Sequence, residues 1–427
     1  MVKLKQFFLR IIGAQLIKSS AIYTVTNFIN AAIPFLLLPI LTRKLSPSDY
    51  GIVAMFQVAT GIIYPFVSLT LENAISRKYY DSEKTNFKLY VSNCLLLVFG
   101  MSLIMSILLY VFKDLFQELT KIPIFWLKYV VMVIFSQFIT SVLLVIYQLN
   151  IKPIKYGVIQ VLQTILNLSL TILFLFFWDK KWEGRLEAQI ITIAIFAIIS
   201  FIILYKSGFI LFKVNFGYIK HAIRFGIPVI PHAVGGILFT AIDRLFLTRL
   251  VGLEQTGNYT IAYQIGAIIG LITVAFNSAY VPWLFENLKK NDNHIKLKIV
   301  KFTYLYCIAL IAGALLLILL FPILIHIFVG GAFKTINTYS LFIVLGFVFN
   351  GMYYMVTNYI FYAEKTKLQG ILTISVAILK VGITYLFIKW LGAVGASISF
   401  CLTYLIFFIV TWVYSNRVYP MPWMLKK

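Results

Sequence analysis

LTRKLSPSDYG, residues 41–51, separates two long apolar runs, and LTRLVGLEQTG, residues 247–257, separates two more. Leu41, Thr42, Arg43 and Gly51 return as Leu247, Thr248, Arg249 and Gly257, each 206 positions later. Two further echoes keep nearly that offset. Gln57 returns as Gln264 after 207 positions, and KWEG at 181–184 returns as KWLG at 389–392 after 208. One short match carries little weight, because Leu, Thr and Gly are common. Three matches at almost one offset, each at an equivalent place in the two copies, read as a duplicated unit.

Composition sets the class. Hydrophobic residues make up 61% of the chain and charged residues 12%, against about 25% charged in soluble domains. So little charge cannot cover a water-facing surface. Twelve apolar runs lie near 19–42, 51–76, 89–112, 124–149, 157–178, 188–206, 222–248, 257–285, 302–323, 335–362, 369–388 and 392–416. Each is long enough to cross about 30 Å of hydrocarbon. The fold class is therefore all-α integral membrane, with short connections that leave no room for a soluble domain. Of the 37 lysines and arginines, 24 fall in the segments on the N-terminal side of the membrane and 11 on the other. That bias makes both termini cytoplasmic and the 41–51 hinge external. It also accounts for the net charge of +23 as a mark of sidedness, not of a nucleic-acid partner.

The basic start of MVKLKQFFLRIIGAQLIKSS resembles a leader, but no small-residue cleavage site precedes the next apolar run. Lys3, Lys5, Arg10 and Lys18 suit an interfacial amphipathic helix instead. Cys94, Cys307 and Cys401 each sit in an apolar run without metal-site spacing, as ordinary buried thiols.

Six spans return the chain to its starting side, so the two copies have parallel topology. This predicts two six-helix bundles around a central cavity: residues 1–206, a cytoplasmic linker at 207–221, and residues 222–427. Rocking such halves exposes the cavity to each side in turn. Polar residues within spans face protein or water rather than lipid. Ser20, Thr24, Asn27, Asn30 and Pro34 fall along one side of the first span, and Gln57, Thr60, Tyr64, Ser68 and Glu72 along the second. Arg224, Pro228, His232, Gly235, Phe239 and Asp243 make a third stripe, with Gln264, Asn277 and Tyr280 looser in the eighth span. Packing between helices is the plainer reading of many of these groups. Lys380, about ten residues into its span, calls for an anionic partner or a watery pocket. Asp243 and Arg244 are neighbours that point apart on a helix. Two prolines and two glycines in FGIPVIPHAVGG, 225–236, suggest a helix that bends or unwinds.

LTRKLSPSDYG, LENAISRKYYD at 71–81, FGIPVIPHAVGG and DRLFLTRL at 243–250 together resemble the polysaccharide flippase family. That family exports O-antigen and capsule repeat units, and belongs to the MATE/MOP exporter superfamily. The resemblance implies a polyprenyl-pyrophosphate-linked oligosaccharide, moved from the inner to the outer leaflet of the bacterial cytoplasmic membrane. It implies a cationic cavity for the pyrophosphate, with Arg43, Arg77, Arg224, Arg249 and Lys380 as candidates. Asn27, Asn30, Gln57 and Tyr64 would contact the sugars and the cavity wall. Glu72, His232 and Asp243 are the groups for coupling to H+, Na+ or the membrane potential. Apart from such coupling the resemblance implies no cofactor, and no metal. Membrane lipids, a polysaccharide polymerase and chain-length machinery are the implied partners. Two alternatives stay open. An ion-coupled multidrug exporter of the same fold would want a deep carboxylate. A membrane glycan-modifying enzyme would want an external catalytic loop or a His/Asp constellation. Of the four histidines, His221 and His294 lie in connections and His326 stands near an external end. No HExxH, GxSxG or GxxxxGK occurs.

Overall fold

The computed structural model describes residues 22, 26, 29, 30, 35, 37–81 and 86–424, which form helices with no strand among them. Among the described residues, fourteen α-helices from Pro47 onward follow in order. The first seven are α1 Pro47–Ser68, α2 Leu71–Tyr79, α3 Phe87–Val111, α4 Lys113–Thr120, α5 Ile124–Leu149, α6 Pro153–Phe176 and α7 Trp182–Lys206. Then come α8 Phe216–Gly226, a 3-10 turn at Ile227–Val229, α9 Ile230–Leu250 and α10 Leu253–Lys289. The last four are α11 Asn293–Phe328, α12 Asn337–Tyr362, α13 Thr366–Leu391 and α14 Ala393–Val418. Eleven spans of membrane-crossing length and apolarity lie among the described residues, with α8, the 3-10 turn and α9 counted as one. Most of the first expected span lies outside those residues, although 37–44 is helical. The N-terminal basic segment, Ser20, Thr24, Asn27 and Pro34 also lie outside them. The protein is all-helical and membrane-spanning, and a twelve-helix arrangement accommodates what is seen.

Local chemistry sets the helix starts. Asn86, Asn215 and Asp292 stand before α3, α8 and α11, and their side-chain oxygens accept the N–H of Leu89, Tyr218 and His294. Each satisfies a donor that the helix leaves unpaired. Pro153 opens α6, where its missing N–H costs nothing. Gly392, the last residue of KWLG, joins α13 to α14 at φ +61, a conformation that favours glycine.

By contact the chain divides into two units. One runs to Leu37 and resumes over Phe56–Val234; the other comprises Leu38–Met55 and Gly235–Lys427. Grouping by contact places the 41–51 hinge with the second half of the sequence. In the first unit α7 packs on α5 and α6, and α2 packs on α5 and α8. In the second, α12 is central, against α10, α11 and α14. Gly346 lets α14 approach closely, since a Cβ there would lie 2.4 Å from the Phe400 ring. A cluster around Tyr280, Leu284, Ile299, Met355 and Tyr359 closes one end of this unit.

Two spans depart from expectation. The second was expected as one helix over 51–76, but Leu69 and Thr70 both adopt left-handed backbone, at φ 49 and 52, and split it into α1 and α2. The Thr70 N–H is recovered by Ser68 Oγ at 3.1 Å, so the break is internally satisfied. Gly226 sits against it, where a Cβ would come within 2.2 Å of the Leu69 carbonyl oxygen. The seventh span, expected to bend or unwind over 225–236, tightens to a 3-10 turn at Ile227–Val229. PHAVGG itself stays helical.

Candidate functional site

The deepest charge in the second unit is Lys380, in the middle of α13 and wholly buried. An ammonium stripped of water needs an anion close by. That anion is Asp243 of α9, also wholly buried. Lys380 Nζ donates to Asp243 Oδ2 at 2.9 Å and to the Phe239 carbonyl oxygen. Asp243 Oδ2 also accepts the Tyr259 hydroxyl at 3.1 Å, and Oδ1 accepts Thr384 Oγ1 at 3.3 Å. Thr384 in turn shares a 2.6 Å hydrogen bond with Ser399. The Phe400 and Phe239 rings flank the ammonium at 5.2 and 5.8 Å. Arg244 turns the other way. Its Nε donates to Thr260 at 3.2 Å and one terminal nitrogen to the Thr240 carbonyl at 2.6 Å, with the guanidinium 4.4 Å from the Tyr263 ring centroid.

Sequence reading placed Asp243 on a cleft-facing stripe and Lys380 against a pyrophosphate. In the structure each is enclosed by the other, so neither is open to a substrate. The sequence does show that Lys380 needs an anion. Helical phase and 137 intervening residues conceal which one.

The first unit holds its own polar groups. Asn30 donates to Gln160 Oε1 and accepts Thr164 Oγ1 at 2.7 Å, while Gln160 donates to the Tyr156 hydroxyl at 3.2 Å. The Asn30 amide is thus engaged between helices. The Tyr64 hydroxyl donates to Glu72 Oε1 across the helix break, which brings these two stripe residues together despite the interrupted spacing. Gln57 is exposed. Arg77 pairs with Asp81 at 3.0 Å, and this hydrogen bond holds the Asp81 carboxyl below the usual carboxylate range. Arg224 and His232 are exposed. Sequence reasoning missed Arg185. Counted as an external charge, it is buried, with Nη1 donating to Asn167 Oδ1 at 2.8 Å and Thr171 Oγ1 at 3.2 Å. Asn167 and Thr171, four apart in an apolar helix, were the available signal.

The hinges come together within the second unit. A Cβ on Gly51 would lie 2.2 Å from the Leu253 carbonyl oxygen, and one on Gly257 would lie 1.9 Å from that of Pro47. Pro47 and Leu253 are themselves 206 apart, as are Gly51 and Gly257. The contact is reciprocal between equivalent residues, as two copies of one hinge meeting across a pseudo-twofold would make it. Thr42 Oγ1 accepts the Gly330 N–H at 3.0 Å, Arg43 donates to the Ile327 carbonyl at 3.2 Å, and Tyr50 donates to Gln264 Oε1 at 2.7 Å. Arg249, the counterpart of Arg43, is exposed.

This architecture is the fold seen in a MATE family transporter and in a lipid II flippase. An inward-facing multidrug resistance MATE family transporter superposes with a TM-score of 0.70 over 91% of this chain and 94% of that one, at 15% identity. The lipid II flippase MurJ, in an inward closed conformation, gives 0.74 over 92% and 87%, at 16% identity. Residues 16–288 match the family described as polysaccharide biosynthesis protein, and the chain belongs to that family. An uncharacterized membrane protein of Haemophilus influenzae is 31% identical over 363 residues, covering 82% of this chain and 85% of that one. The capsular polysaccharide biosynthesis protein CapF of Staphylococcus aureus is 27% identical over 289 residues, 64% of this chain and 66% of the other. The resemblance to polysaccharide flippases drawn from the motifs is borne out. The two solved structures are those of a multidrug transporter and a lipid II flippase.

Proposed function

We propose that the chain translocates a polyprenyl-pyrophosphate-linked oligosaccharide repeat unit from the inner to the outer leaflet of the bacterial cytoplasmic membrane by alternating access. Membership of a polysaccharide biosynthesis family, by a chain whose described residues are almost all membrane-length helices, carries the reading. Such a chain serves glycan assembly by moving an intermediate. Both termini face the cytoplasm on this reading, residues 1–206 and 222–427 are the moving halves, and 207–221 links them. A polymerase and chain-length machinery would take the exported units.

The residues proposed to hold the pyrophosphate are Arg43, Arg77, Arg224 and Arg249. All four are exposed, and a guanidinium fork suits phosphate oxygens. Lys380 could join them only if Asp243 released it. Arg224→Ala and Arg43→Ala are expected to accumulate lipid-linked repeat units on the inner leaflet, and Lys at either position to restore less than half of the export. Export at the wild-type rate in both alanine variants would remove these residues from the proposal.

One observation favours a second reading. Glu72, bonded by Tyr64, is a carboxylate of the kind an ion-coupled exporter of this fold would use. Loss of drug resistance with intact glycan export in Glu72→Gln would select that reading.

A further inference from the structure

The outer face of the first unit carries a groove that the transport reading does not use. Leu95 and Phe99 of α3, Phe135 and Ile139 of α5, Phe201 of α7 and Phe212 line it. Its volume is about 350 Å³, within the range of small-molecule sites, about 300–1,000 Å³. Ser92 supplies a polar group to the lining, and its hydroxyl is already engaged. It accepts the Leu211 N–H at 2.9 Å and donates to the Leu211 carbonyl at 2.6 Å. Water needs two to four polar partners to occupy such a space, so the groove takes hydrocarbon.

Along one side of the groove runs a strap, whose Ile210, Leu211 and Phe212 belong to the lining. The neighbouring Asn93 donates to the Lys213 carbonyl at 3.1 Å and accepts the Asn215 N–H at 2.8 Å. Two buried side chains, Ser92 and Asn93, therefore take over the backbone bonds of a non-helical stretch and lay it across the start of α3. The strap leaves Phe212, Val214 and Phe216 exposed, at 86%, 54% and 81%. Cations surround this position. Lys213 is on the strap, Lys206 ends α7, and Lys88 in the first turn of α3 holds its Nζ 5.6 Å from the Phe209 ring centroid. All three are exposed.

We propose that the groove seats one acyl chain of an anionic membrane phospholipid, with its phosphate at Lys88 and Lys213 beneath the strap. The exposed lysines set the choice of occupant, because a neutral lipid would fill the groove without engaging them. The strap begins the connection between the two halves of the sequence, so a bound lipid holds one end of that connection. On the orientation given above, the lipid belongs to the inner leaflet. Binding is read directly, so the site stands or falls independently of the substrate proposal.

The test titrates the delipidated full-length chain with phosphatidylglycerol and, separately, with phosphatidylcholine, followed by native mass spectrometry. One tightly held phosphatidylglycerol is expected, and Lys88→Gln and Lys213→Gln each weaken it about fivefold, as a lost surface lysine does, without changing phosphatidylcholine binding. Leu95→Trp fills the groove and lowers occupancy by both lipids. If that variant fails to fold, the two lysine variants still decide. Equal binding of the two phospholipids overturns the proposal. So does displacement of phosphatidylglycerol by an equimolar polyprenyl phosphate, which would make the groove a seat for the carrier.

Discussion

At the scale of single residues, the Lys380–Asp243 pair fixes α9 to α13. Breaking a buried pair leaves one uncompensated charge, which costs about 3–5 kcal/mol, whereas replacing both partners by apolar groups is often neutral. Lys380→Met and Asp243→Leu are therefore each expected to lower the melting temperature sharply, and the double variant to regain most of the loss. A double variant as unstable as the sum of the singles would show that the two groups act independently. The Arg77–Asp81 pair is its exposed counterpart, visible in the sequence as an i, i+4 spacing. Asp81 has its folded pKa lowered, so the small stability it adds is complete above its unfolded value of about 3.9. That contribution fades as pH falls through the lower folded value. Arg77→Gln should return the Asp81 titration towards the ordinary range, measured by carboxyl NMR on selectively labelled protein. An unmoved titration would mean that Arg77 does not set it. The buried pair was only half legible in the sequence. A lysine in mid-span states its need, but its partner is fixed by tertiary packing alone.

At the scale of elements, the duplicated hinge was the most legible feature and the helix break the least. Repetition of Leu, Thr, Arg and Gly at one offset needs no structure to be seen, and the reciprocal contact of Gly51 and Gly257 explains why those glycines recur. Each presents bare backbone to a carbonyl oxygen of the other hinge. Leu69 and Thr70 carry no such mark, because non-glycine residues at positive φ are held by their surroundings. Here the surroundings are Ser68 Oγ and the bare backbone of Gly226. Substitution at the glycines separates the two hinges in a definite way. Gly51→Val and Gly257→Val should each destabilise the chain by forcing backbone from backbone. Once one has opened the seam, the other should cost less, giving a coupling of about 1 kcal/mol or more in a double-mutant cycle. Strict additivity would mean that the two contacts are separate. Gly226→Ala makes the corresponding test of the break, since it sets a methyl against the Leu69 carbonyl oxygen. It should destabilise the first unit, whereas Gly313→Ala, with open space around its Cβ position, should not.

At the scale of the whole molecule, membrane class followed from composition, which is averaged over hundreds of residues, and the family from the resemblance that its motifs carry. Which side chains meet was not legible, since it depends on helix rotation and on breaks that local spelling does not show. If the proposed cargo is right, the cycle has a property that does not depend on which side chains hold it. A polyprenyl-pyrophosphate diester carries about two negative charges. One loaded outward step and one empty return therefore move that charge out of the cell, whether the anion itself or the returning arginines cross the field. Each charge is worth about 2.3 kcal/mol per 100 mV, so an inside-negative potential drives export by about twice that. In vesicles with clamped pH and sodium, imposing an inside-negative potential with a potassium gradient and valinomycin is expected to accelerate export. Reversing the polarity should slow it. A rate indifferent to polarity would mean that compensating ions balance the cargo charge, with Glu72 as the first carboxylate to test for carrying them.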